Sequence, residues 1–121
     1  MSTTVLVYIR LAIVAEDVAA TLREALPDAD ILVALSEAEA AAAVSDLPDG
    51  ARVALAFLEM GPEPLNSGPL GEALRRRSAQ IVLLGPDAED QPSPIWPVLR
   101  RPFSDFDVRE LVRRMLPRKP A

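Results

Sequence analysis

Apolar residues in this chain fall alternately into short unbroken runs and into helical spacing. Val5 to Ile9, Ile31 to Leu35, Val53 to Leu58, Ile81 to Leu84 and Val98 to Leu99 are continuous and short, which predicts five buried strands. Between the first two, Val18, Leu22, Ala25 and Leu26 recur at i, i+4, i+7 and i+8, the inward face of a helix ended by Pro27 and Asp28. Ser36 with Glu39 reads as a capping box for an alanine-rich helix from Glu37 to Leu47, stopped by Pro48, Asp49 and Gly50. Gly68 and Pro69 read as the N-cap and first residue of a third helix running to about Ser78, with Arg75, Arg76 and Arg77 on its outer face. The last helix opens at Ser104 with Asp107 three residues on. It carries Val108, Leu111, Val112 and Met115 on one stripe and ends before Pro117. Its other face holds Arg109, Arg113 and Arg114, toward the end where the helix dipole favours cations.

Strands alternating with helices predict an α/β fold, a parallel sheet covered on both faces. The connection from residue 86 to 97 departs from this rhythm. Pro86, Pro92, Pro94 and Pro97 rule out a regular fourth helix, so at most one turn around Asp87 to Asp90 is expected there, within an extended Pro-rich loop.

At 121 residues the chain suits one domain, with a core over about 4–116 and a tail at 117–121. Its beginning at Met1 and its short tail fit a stand-alone unit. Half of the residues are apolar and mean hydropathy is +0.16, enough for a core and against wholesale disorder. The absence of histidine and cysteine removes imidazole bases, thiol nucleophiles, disulfides and the usual zinc ligand sets. No apolar run could cross a bilayer and no basic stretch leads into an apolar one at the N-terminus, so a cytoplasmic protein without a membrane partner is expected. Charge is uneven: residues 1–60 hold three Arg against ten Asp and Glu, while 61–121 hold ten Arg and Lys against eight acids. The net charge of −5 repels phosphate backbones, and the aromatics that stack on bases are nearly absent, so no nucleic-acid partner is expected.

The strand start Val5 to Val7, the segment Leu58-Glu59-Met60 and the closing run from Leu99 to Ser104 resemble the receiver domain of response regulators over nearly the whole chain. One lysine against twelve arginines, with nineteen alanines, fits a G+C-rich bacterial coding bias. The resemblance implies the doubly wound, three-layer flavodoxin-like fold with strand order 2-1-3-4-5. In that family an aspartate at the end of the third strand takes a phosphoryl group, aided by Mg²⁺ on an acidic pair after the first strand. Here the acidic pair falls on Ile9 and Arg10, the phosphoacceptor on Phe57, and the two switch positions on Leu84 and Val98. The phosphate-contacting lysine falls on Arg101, whose bond to Pro102 the resemblance implies to be cis. A shifted alignment brings Glu59 or Asp87 near the pocket, with Glu59 a surface carboxylate or an ion-pair partner of Arg10. These positions describe a pseudo-receiver with no catalytic residue, no metal and no cofactor.

The expected role is therefore a phosphorylation-independent signalling module of a two-component-type pathway. It would bind another signalling protein or a second copy of itself through Ile95, Trp96, Arg100, Arg109 and Arg113. Trp96 has a plainer reading as well, folding back to cover the edge strand. An alternative is a small anion-binding module using the guanidinium forks of Arg10 and Arg101 at the C-terminal edge of the sheet. Enzymatic activity is not expected, because no base stands ready for a Ser or Thr nucleophile.

Overall fold

The structure, a computed structural model, describes residues 3–91 and 95–116. Strands β1 (Thr4–Tyr8), β2 (Asp30–Ala34), β3 (Leu55–Glu59), β4 (Gln80–Leu84) and β5 (Val98–Leu99) form one parallel sheet in the order 2-1-3-4-5. Helices α1 (Ala12–Ala25), α2 (Glu37–Ser45), α3 (Pro62–Ser67), α4 (Pro69–Arg76), α5 (Pro86–Asp90) and α6 (Asp105–Met115) connect and cover it. The doubly wound fold expected from the sequence is thus the one observed.

Strand alternation divides the core in two. Val5, Val7, Leu55, Phe57, Val82 and Leu84 face α1 and α6, where they meet Val18, Leu22, Val108, Leu111 and Val112. Leu6, Tyr8, Ala56, Leu58 and Leu83 face the other way, onto Val44, Leu65, Leu70, Leu74 and Ala88. Central pairings such as Val7 with Phe57 and Phe57 with Val82 keep the two faces in register.

Strand limits differ from the runs read along the chain. Val53 lies outside β3 although it is fully buried, because its N–H donates to the Arg77 carbonyl rather than to a strand. The capping box of α2 is altered: Ser36 accepts from the Glu39 N–H, but the Glu39 carboxylate reaches the N–H of Leu35 instead of Ser36. Residues 62–67, to which the pattern along the chain assigned no element, form α3. Pro62 and Pro64 occupy its first turn, where a helix needs no N–H from them. Helix α5 is the single short turn expected, and the box of Ser104 and Asp107 on α6 is complete. Part of the Pro-rich loop and the tail with Pro117 lie outside the described residues.

Candidate functional site

The C-terminal edge of the sheet gathers residues from four connections. After β1, the N–H of Arg10 donates to Glu59 Oε1 at 2.9 Å, so the end of β3 holds the turn that leads into α1. The Arg10 guanidinium is raised above its ordinary value, chiefly by its hydrogen bond to Tyr8 and more weakly by Glu59 and Asp87. Gly85 ends β4 with φ +95°, and a side chain there would lie 2.9 Å from Glu59 Cγ, so glycine is required on both grounds. Beyond it, α5 carries Glu89 toward the loop after β5. The N–H, Nε and Nη2 of Arg101 donate to Glu89 at 3.1, 3.0 and 3.2 Å. These bonds hold the Glu89 carboxyl below the usual carboxylate range, first through the Arg101 side chain and then through its N–H.

Beside this edge a groove of about 630 Å³ runs between α1 and the start of α6. Val14, Val18, Ala20 and Thr21 form one wall, and Pro102, Phe103 and Val108 belong to the other. Three large apolar residues at the start of these two helices stand exposed: Leu11 at 60%, Ile13 at 68% and Phe106 at 56%. Ile13 shares a helical stripe with Asp17, Ala20 and Glu24. Phe106 lies one turn before Arg109, whose Nη2 crosses to Glu24 at 2.6 Å and ties α6 to α1.

No protein-family model and no curated protein sequence matches this chain. Solved structures do. A response regulator receiver domain protein from Bacillus halodurans superposes with a TM-score of 0.67 at 14% identity, covering 100% of both chains. A response regulator receiver protein from Sinorhizobium medicae gives 0.65 at 16% identity, over 95% of this chain and 94% of the other. A response regulator from Thermotoga maritima gives 0.65 at 17%, over 96% and 98%. The chain has the receiver fold.

On that fold each residue singled out in the sequence has a definite place. Phe57 is fully buried in the face toward α1 and α6, and Ile9 and Leu84 join the same cluster. Val98 is half-buried and packs on the opposite face. The acid at the open end of β3 is Glu59, two residues beyond Phe57. It serves as an acceptor for the Arg10 N–H, and no ion pair with the Arg10 side chain is formed. The Arg101–Pro102 bond is cis, as expected. Among the described residues no group of three His, Cys, Asp or Glu is arranged to hold a metal ion. No helix among them is long and apolar enough to cross a membrane.

The two guanidinium groups of the anion-binding alternative line different cavities. Arg10 borders a cavity of about 40 Å³ with Glu59 and Asp87, whereas Arg101 borders the α1–α6 groove with its fork taken by Glu89. The expected partner surface is likewise divided. Ile95 is 71% exposed and Arg100 is exposed, but Trp96 is half-buried and packs against the core on the face of Leu58, Leu83 and Ala88. Arg109 is paired with Glu24, and Arg113 with Glu110 at 3.1 Å. Sequence reading passed over Ile13, Phe106 and Glu89. Apolar residues on otherwise polar helical faces were the available signal for the first two, whereas nothing along the chain links Glu89 to Arg101.

Proposed function

We propose that this chain is a receiver-like signalling module that acts without phosphoryl transfer, by accepting a helix of another protein in the groove between α1 and α6. The observation that carries this reading is the groove itself: largely apolar, about 630 Å³ in volume, and formed by two helices that also carry the exposed Ile13 and Phe106. Two helices side by side offer the ridges and grooves into which a third can pack. Charge selects the occupant. Arg101 and Arg109 on the groove and its flank are already paired, while Asp17 on α1 and Asp105 on α6 form no ion pair with any of the described residues. A basic amphipathic helix complements that arrangement. Independence from phosphoryl chemistry is supported by the burial of Phe57, by Ile9 and Arg10 where an acidic pair would bind Mg²⁺, and by the occupation of Arg101.

The test is a titration of a fluorescently labelled synthetic helix, a leucine stripe flanked by arginines, with and without Mg²⁺ and beryllofluoride. Saturable binding is expected, equal in both conditions and weakened about fivefold or more by Ile13→Ser or Phe106→Ser. Equal or better binding of the same helix flanked by glutamates, or no binding at all, refutes the docking reading. An affinity that changes with beryllofluoride shows a working phosphoryl site.

A further inference from the structure

Both walls of the groove are held from behind by a carboxylate that belongs to neither wall. Helix α1 begins at the turn whose Arg10 N–H is bound by Glu59 from β3. The opposite wall begins at Arg101, which is bound through three donors by Glu89 from α5. Such a clamp differs in kind from a surface ion pair. One of its three bonds comes from the main chain, so it fixes backbone position as well as a side chain, although the Arg101 side chain is 54% exposed against 19% for Glu89. Arg101 is followed directly by Pro102, Phe103, Ser104 and Asp105, all of which border the groove. Moving the Arg101 main chain therefore moves the wall.

We propose that Glu89 is the positioning residue of the docking groove: from α5 it sets the place of the β5–α6 loop and keeps the groove formed before any partner arrives, with Glu59 acting likewise on the opposite wall. The proposal rests on the docking reading above and gives that surface an internal control point on a remote element. A groove formed in advance spares the partner the cost of ordering a loop. Anything that draws Glu89 off Arg101, whether a cation at the carboxylate or a shift of α5, would loosen the wall.

Amide hydrogen exchange and binding of the arginine-flanked helix, followed side by side in the wild type and in Glu89→Gln, separate the possibilities. Glutamine keeps the length of the side chain and removes its charge. Exchange at Arg101, Phe103 and Ser104 is expected to rise about tenfold in Glu89→Gln while β1 and β3 stay protected. Affinity for the helix is expected to fall about fivefold. The reversed pair, Glu89→Arg with Arg101→Glu, restores the side-chain attraction without the main-chain bond, and part of the protection should return. Unchanged exchange in Glu89→Gln overturns the clamp whether or not the helix binds. Faster exchange with unchanged affinity overturns the link between clamp and groove. A wild type that binds no helix, with exchange in Glu89→Gln raised as expected, refutes the docking reading and not the clamp.

Discussion

Arg77 illustrates how much a single side chain can do out of sight of its neighbours in sequence. It follows Arg75 and Arg76 and reads as part of a solvated face, yet its guanidinium turns under the end of α2. There it donates to the carbonyls of Val44, Leu47, Pro48 and Ala51, with the bond to Leu47 at 2.9 Å. A helix leaves its last carbonyls without partners, and a cation at that end also meets the negative pole of the dipole. Arg77→Ala should therefore cost about 2 kcal/mol, measured by urea unfolding, and Arg77→Lys should recover only part, because an ammonium cannot span four acceptors. Arg76, paired with Glu72 in the open, serves as the control and should change stability by less than about 0.5 kcal/mol.

At the scale of elements, the sequence pattern marked all five strands, four helices and the single turn of α5, and assigned nothing to α3, whose two prolines stand in its first turn. The packing of α3 on α4 depends on a close approach that no periodicity reveals. A Cβ on Gly71 would lie 1.8 Å from the Leu65 carbonyl oxygen, so the two short helices can meet only if that position has no side chain. Gly71→Ala is expected to destabilise the domain by about 3 kcal/mol or more, since the clash is with main chain and no rotamer relieves it. Thermal unfolding of this variant checks the value. A cost under about 1 kcal/mol would mean that α3 shifts freely and contributes little to the fold.

For the molecule as a whole, the clamp couples stability to pH. The folded state holds the Glu89 carboxyl below its ordinary range, so the unfolded chain takes up its proton first as the solution is acidified. The stabilisation is fully present above the ordinary carboxylate range and is lost as pH falls through the lowered folded-state value. The difference in midpoint between wild type and Glu89→Gln should accordingly be constant near neutrality and close in acid, as followed by urea unfolding at a series of pH values. A difference that persists unchanged into acid would show that the charge of Glu89 is not what stabilises the loop.

The sequence by itself determined the class of fold, because five short apolar runs alternating with four helical segments admit one economical arrangement, a covered parallel sheet. The absence of any imidazole or thiol was equally legible there, and it removes bases and nucleophiles of those two kinds. Only the tertiary structure decided how the remaining charges are used. Glu89 and Arg101 stand twelve residues apart, Arg10 and Glu59 forty-nine, and Arg109 and Glu24 eighty-five, so each pair is made by the meeting of separate elements. Periodicity along a helix tells which side faces inward. It cannot tell whether an arginine on the other side will meet solvent or, as Arg109 does at Glu24, the carboxylate of a neighbouring element.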